Sequence, residues 1–404
     1  MESIDKGVCA AKGFKAYGVH CGIRKNKAKE DLALVVADCM CSAAAVYTTN
    51  KVKGAPIAVT RDNISDGKAQ AIICNSGNAN TCNADGVQKA ERMCKLVEQY
   101  TGISAKDVIV ASTGVIGQIL PIEPIEKGMP LLAAGLSESG NKAAARAIMT
   151  TDTKLKEFAR RDVIDGYSVS VGAMAKGSGM IHPNMATLLC FVTTDAAIAP
   201  DMLDAALKEA VGDTLNMVSI DGDTSTNDML CIMASGKSGM PPITNKGEAY
   251  DKFLAMLKET LTDVSKAIAA DGEGATKLLE CKVSGAPDKD TAKKIAKSVV
   301  CSSLLKAAIF AADANWGRIL CAIGYTDAQF DIEKVDVDIV SAAGKVAVCR
   351  GGNGVDFDEG KAKKVLLKDE ISVCVNCNDG EACAVAWGCD LTYEYVKINA
   401  DYRT

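Results

Sequence analysis

Lys176-Gly-Ser-Gly-Met-Ile-His-Pro-Asn-Met-Ala-Thr187, continuing as Leu188-Leu-Cys-Phe-Val-Thr-Thr194, changes character abruptly at Thr187. Upstream, Gly177, Gly179, Pro183 and Asn184 make an irregular approach, because glycine reaches positive φ, proline fixes φ and asparagine tolerates turns. Downstream, the apolar and β-branched run that ends at Asp195 has the composition of a short, fully buried strand. Thr187 therefore stands at a loop-to-strand junction. A hydroxyl there can attack the Ala186 carbonyl when the loop strains that peptide, giving an ester that water cleaves. The new α-amine of Thr187, with a reference pKa of about 7.7 to 8.0, would then serve as the base for its own hydroxyl. A threonine that merely begins a core strand carries the same local signature, so other segments must decide.

Those segments mix strands and helices. Asp31 to Thr48, Ala71 to Cys74 and Val108 to Ser112 read as buried strands. Val87, Ala90, Cys94 and Val97 recur at helical spacing before Gly102, and Phe253, Leu257, Leu261, Val264 and Ile268 trace a longer helix ending before Gly272. Both helices are one-faced, as if laid on a sheet, which predicts an α/β fold of layered sheets with outer helices. No repeat, low-complexity tract or linker marks a domain boundary, and at 404 residues one large domain or two closely joined ones are expected. The boundary this reading defines is chemical: cleavage before Thr187 would leave an N-terminal chain 1–186 and a C-terminal chain 187–404, entwined because the strand after Thr187 would be central.

The net charge of -5, from 46 basic and 51 acidic residues spread along the chain, gives no basic footprint for nucleic acid. Met1-Glu-Ser-Ile-Asp-Lys-Gly7 lacks a signal-peptide layout, and the apolar stretch Ser298 to Ala312 is broken by Lys306, so no membrane segment and a cytoplasmic location are expected. The 17 cysteines, odd in number and scattered, read as reduced thiols acting as small buried hydrophobes. Cys374-Val-Asn-Cys377, with Cys383 and Cys389, is the one cluster to weigh as a metal or redox site. It falls in alternating segments, Glu370 to Cys377 and Glu381 to Trp387, that read as a hairpin around Asn378-Asp-Gly380. A strand would send Cys374 and Cys377 to opposite faces, which favours packing over metal binding. Of the two histidines, His20 and His182, the second precedes Thr187 by five positions and is read as structural rather than as part of a triad. No phosphate-cradling Gly-x-x-x-x-Gly-Lys-Ser/Thr occurs, and Gly351-Gly-Asn-Gly354 is too short to stand for one.

The Lys176 to Thr194 segment, with Ser112-Thr-Gly-Val-Ile-Gly117, Asn75-Ser-Gly-Asn-Ala-Asn80, Asp221-Gly-Asp-Thr-Ser-Thr-Asn227 and Ile398-Asn-Ala-Asp-Tyr-Arg-Thr404, resembles the glutamate N-acetyltransferase family, also called ornithine acetyltransferases, of arginine biosynthesis. The likeness covers essentially the whole chain, with the motifs in order. It implies self-cleavage between Ala186 and Thr187, then transfer of acetyl from N2-acetyl-L-ornithine to L-glutamate through an acetyl-Thr187 intermediate. Members take N-acetylornithine alone or acetyl-CoA as well, so either donor range is implied.

The same resemblance places the oxyanion hole at the Thr113 side chain and the Gly114 backbone. That pair also ends the strand Val108 to Ser112 at a glycine, where N–H groups can face a ligand. It implies an amino-acid pocket formed by Thr150, Lys176, Thr187, Glu273, Asn399 and the terminal Thr404. Lys176 suits a substrate carboxylate and Glu273 a substrate ammonium, while Thr151 and Thr153 compete for the Thr150 role. No metal or organic cofactor is required, since the amine, the oxyanion donors and positioning supply the chemistry. The implied partners are the small substrates and the two cleaved chains themselves, assembled as a higher oligomer of the pair. An amidase or aminopeptidase built on the same N-terminal threonine would differ only in passing the acyl group to water.

Overall fold

The computed structural model describes residues 1–182 and 188–400, which divide into two compact units. The first comprises Met1–Gly177, Asn184–Leu215 and Thr224–Val264; the second comprises Ser178–Pro183, Asn216–Asp223 and Ser265–Thr404. Each unit is assembled from separate passes of the chain, so a change of composition or a linker does not mark the division.

The first unit holds, among the described residues, a nine-stranded sheet built from β1 (Glu2–Ser3), β2 (Phe14–Val19), β3 (Leu32–Tyr47), β4 (Lys68–Asn75), β5 (Val108–Ser112), β6 (Lys156–Ile164), β7 (Tyr167–Lys176), β8 (Leu189–Thr194) and β9 (Met229–Ala234). The order is β1-β6-β7-β8-β9-β3-β4-β5, with β2 added beside β3. The expected strands over 31–48, 71–74 and 108–112 are thus β3, β4 and β5, with β5 at the expected bounds.

Burial on both sheet faces explains the continuous apolar runs. Leu32, Leu34, Ala71, Ile73, Val108 and Val110 face the helices Gly86–Thr101 and Ile122–Ala134. The alternate residues Ala33, Val35, Ile72, Cys74 and Ile109 belong to a second core with Ala144, Ala145 and Ile148 of the helix Asn141–Ile148. The helix Gly86–Thr101 turns its face slightly from the expected one: Ala90, Cys94 and Val97 are buried with Met93 and Leu96, whereas Val87, in the first turn, is exposed. All five expected core residues of the helix Glu248–Ala270 are fully buried.

β8 is the strand expected after Thr187, buried along its whole length. It pairs antiparallel with β7 and parallel with β9, with Leu189 opposite Lys176 on one side and Met229 on the other. A cut at 186/187 would leave β8 and β9 of the C-terminal piece hydrogen-bonded between β7 and β3 of the N-terminal piece.

The second unit carries β10 (Leu278–Ala286), β11 (Asp336–Ser341), β12 (Gly344–Arg350), β13 (Asn353–Gly354), β14 (Glu370–Asn376) and β15 (Ala382–Cys389) in the order β13-β12-β11-β14-β10-β15. This corrects the expected hairpin. The two strands flanking Asn378-Asp-Gly380 exist, but β10 lies between them, parallel to β14 and antiparallel to β15. The turn residues bond instead to the end of β10, Cys377 N–H to the Ser284 carbonyl and Asp379 N–H to the Gly285 carbonyl. Cys377 is buried and Cys374 half-buried. None of the 17 cysteines is in a disulfide, and among the described residues no group of His, Cys, Asp or Glu is arranged to hold a metal ion. Among them, too, no helix is long and apolar enough to cross a membrane.

Candidate functional site

β5 delivers the first element of the site. Its last residue is Ser112, and the next two, Thr113 and Gly114, turn away from the strand. Gly114 has φ +134°, and a Cβ there would stand 2.3 Å from the Gly77 carbonyl carbon and 2.5 Å from the Asn78 nitrogen, so no other residue fits. The loop after β4 closes around this turn. Thr113 N–H donates to the Asn75 carbonyl at 3.0 Å, Ala79 N–H to the Val115 carbonyl at 3.0 Å, and the Ser112 hydroxyl to Asn75 Oδ1 at 2.6 Å.

β7 delivers the second element. It ends at Lys176, whose Nζ donates to Thr113 Oγ1 at 3.2 Å. The hydroxyl oxygen accepts from the ammonium, so its own proton is free to point at a ligand. Gly177 N–H donates to Asp152 Oδ1 at 2.7 Å, Lys156 Nζ donates to the same oxygen at 2.7 Å, and Thr150 N–H donates to Asp152 Oδ2 at 2.9 Å. One buried carboxylate therefore ties the Thr150 segment to the end of β7. Burial pushes the Asp152 carboxyl upward, but the Lys156 charge, the Lys176 charge and the hydrogen bonds outweigh it and hold the group at about 2. Asp228, where the chain enters β9, behaves oppositely. Burial pushes it well above the usual carboxylate range, against a Ser225 hydrogen bond and the Lys176 charge.

The second unit holds another group of residues. Glu273 is 8% exposed, its N–H donates to the Ser178 carbonyl at 2.8 Å, and its carboxylate accepts from Asn399 Nδ2 at 2.8 Å. A Cβ on Gly179 would lie 2.3 to 2.6 Å from the Glu273 carboxylate atoms, so the glycine is what admits the acid. The same stretch of chain is held by Asp221, which accepts from Met180 N–H at 2.6 Å, Ile181 N–H at 2.9 Å and the Tyr395 hydroxyl at 3.3 Å. Asn399 and Tyr395 lie on the helix Tyr393–Ala400. His182 Nδ1 sits 3.1 Å from Ser219 Oγ and 3.5 Å from Cys301 Sγ.

Of the residues singled out in the sequence, Thr113 and Lys176 are thus in direct contact, Gly114 follows Thr113, and Thr150 joins them through Asp152. Glu273 and Asn399 are in direct contact with each other. Ala186, Thr187 and Thr404 lie outside the described residues. Asp152, Lys156 and Asn227 are not among the expected site residues, although Asn227 ends one of the motifs that carry the resemblance. Asp152 carries a faint signal, as the acid of Thr150-Thr-Asp-Thr153, and Asn227 closes a polar run, Asp221 to Asn227, whose density of side-chain acceptors exceeds what a plain loop needs.

A hydroxyl polarised by an ammonium, beside a glycine amide at a strand end, suits developing negative charge on a carbonyl oxygen, and layered α/β sheets hold it rigidly. The protein is an acyl-transferring enzyme. It belongs to the ArgJ family, whose model matches residues 15–404. It is 47% identical over 405 residues, the whole of both chains, to the arginine biosynthesis bifunctional protein ArgJ of Caldanaerobacter subterraneus subsp. tengcongensis. To the protein of the same name from Symbiobacterium thermophilum it is 48% identical over 406 residues, again the whole of both chains. Among solved structures, the ArgJ protein of Bacillus halodurans matches with 43% identity and a TM-score of 0.50, the match taking 52% of this chain and 97% of that one.

Proposed function

We propose that this chain, an acetyltransferase of arginine biosynthesis, carries acetyl from N2-acetyl-L-ornithine to L-glutamate on Thr187, after cutting itself between Ala186 and Thr187. The Thr187 hydroxyl attacks the acetyl carbonyl while its proton passes to the Thr187 α-amine. The oxyanion is held by the Thr113 hydroxyl and the Gly114 N–H. Collapse breaks the amide C–N bond, and the ornithine amine leaves with the proton from the Thr187 amine. The amine of glutamate then attacks the acetyl ester, regenerating the hydroxyl and releasing N-acetylglutamate. Two preorganised donors, each worth on the order of 3 kcal/mol, supply a large share of the lowering of the barrier. Lys176, Thr150, Glu273, Asn399 and Thr404 orient the amino-acid groups of the substrates.

The contact between Lys176 Nζ and Thr113 Oγ1 carries this reading, because it joins two separately inferred residues into one donor unit. The central place of β8 supports the cut, since both pieces then share one sheet. The half-length match also supports it: a solved relative whose chain is about half as long as this one is what a single cut near the middle would give.

Incubation with N-acetylornithine labelled in its acetyl group, plus glutamate, tests the transfer. Label should move to N-acetylglutamate, one for each ornithine released, with ping-pong kinetics. Label appearing as acetate instead would make the enzyme an amidase. Replacing the donor by acetyl-CoA and following CoA release assigns the donor range.

A further inference from the structure

Asn227 is 7% exposed, and its side-chain amide is fully engaged. Nδ2 donates to the Ala79 carbonyl at 2.5 Å and to the Ser112 carbonyl at 2.9 Å. Oδ1 accepts from Thr81 Oγ1 at 2.5 Å and Thr226 Oγ1 at 2.6 Å. An amide offers two donor hydrogens and two lone pairs, so all four positions are used. The Gly54 backbone closes over it: a Cβ at Gly54 would lie 2.5 Å from Nδ2 and 2.8 Å from Cγ and Oδ1.

Asn227 therefore clamps the two strands of chain that meet at Thr113. Residues 79–81 continue the loop that packs on Gly114, and Ser112 is the residue before the donor pair. The Ser112–Thr113 peptide is held at both ends, its carbonyl by Asn227 and its N–H by the Asn75 carbonyl at 3.0 Å. A peptide fixed in this way cannot rotate, so the Thr113 backbone from which the side chain and the next N–H project is anchored before a ligand arrives.

We infer that Asn227 is a positioning residue for the reaction: through the Ser112 carbonyl it fixes the Thr113–Gly114 oxyanion donors. The inference rests on the reading of those two residues as the oxyanion hole. A displacement of about 1 Å at such a site costs roughly 100-fold in rate, and loss of one donor costs about 100- to 1000-fold in kcat.

Asn227→Asp keeps the shape and replaces both donor hydrogens by a carboxylate oxygen facing two carbonyls. Rates are taken per cut molecule, with the cut fraction read by intact mass. The expected result is a fall in kcat of roughly 10- to 100-fold with KM for both substrates within about twofold. In a Thr113→Val background the same substitution should cost less, because one of the two donors it positions is already removed. Thr81→Val, which removes one bond to the amide oxygen, should lower kcat by a smaller factor at unchanged KM, and it decides the matter if Asn227→Asp does not fold or is not cut. Native kcat in the folded, cut Asn227→Asp enzyme, an undiminished cost in the Thr113→Val background, or native kcat in Thr81→Val when it alone is informative would each overturn the inference. Native kcat in Thr113→Val by itself would instead overturn the oxyanion reading.

Discussion

Lys176 Nζ stands 3.2 Å from Thr113 Oγ1, so a strand-end cation and a strand-end hydroxyl from opposite regions of one sheet form a single donor unit. An ammonium has three donor hydrogens, and one is used here. Lys176→Met keeps the stem and removes the charge. Hydrogen bonds to charged groups contribute about 1.5 to 3 kcal/mol, so kcat should fall by roughly 10- to 100-fold. Steady-state kinetics should show kcat falling further than KM rises. A rise in KM alone would confine Lys176 to holding the substrate carboxylate.

Asp152 and Lys156 form a 2.7 Å ion pair with both side chains fully buried. Removing one partner strands the other charge, which costs about 3 to 5 kcal/mol. Lys156→Met should be strongly destabilised in urea. The pair also sets an acid limit. Because the folded carboxyl is held at about 2, below its unfolded value, its contribution is present above the unfolded value and lost as pH falls toward 2. Denaturant midpoints measured down the acid limb should therefore drop less steeply in the Asp152→Asn variant.

His182 adds a second acid dependence, through a neutral group. Burial first, then the Lys297 charge, lowers it from 6.5 to about 4, with Asp221 opposing. The unfolded chain then binds a proton that the folded chain refuses, so stability is full above about pH 6.5 and is lost as pH falls toward 4. His182→Asn should narrow the gap between denaturant midpoints at about pH 7 and about pH 5. An unchanged gap would mean that the imidazole is charged in the folded protein.

Asp221 grips the chain just ahead of the proposed cut. It holds two consecutive amides, and Met180 between them has φ +56°, a left-handed conformation that costs a non-glycine residue about 1 to 2 kcal/mol. Asp221→Ala releases that grip. Cleavage followed on a denaturing gel should slow by about tenfold, which corresponds to 1.4 kcal/mol on the barrier. Cleavage at the native rate would make Asp221 only a support of the second unit.

The readable parts of this molecule were those whose cause is local. β5 was legible to its ends because Val108-Ile-Val-Ala-Ser112 is a buried run stopped by a glycine turn, and β8 because β-branched and apolar residues follow a proline and glycine approach. The turn at Asn378 was also legible, and its φ of +47° is what an Asn-Asp-Gly stretch favours. Its strands were misjudged as partners because β10, more than 80 residues upstream of β15, enters between them, and no local rule encodes that pairing. Asn227 and Asp152 escaped for the same reason. Asn227 acts on Ser112, 115 positions away, and Asp152 on Gly177, 25 positions away, so their roles exist only once the sheet has formed.

The most direct test of the central claim is intact mass spectrometry of the purified protein under denaturing conditions. The account predicts two masses, those of residues 1–186 and 187–404, for the native chain and one uncut mass for Thr187→Ala. A single mass for the native chain, or a Thr187→Ala protein still split at the same bond, would contradict it.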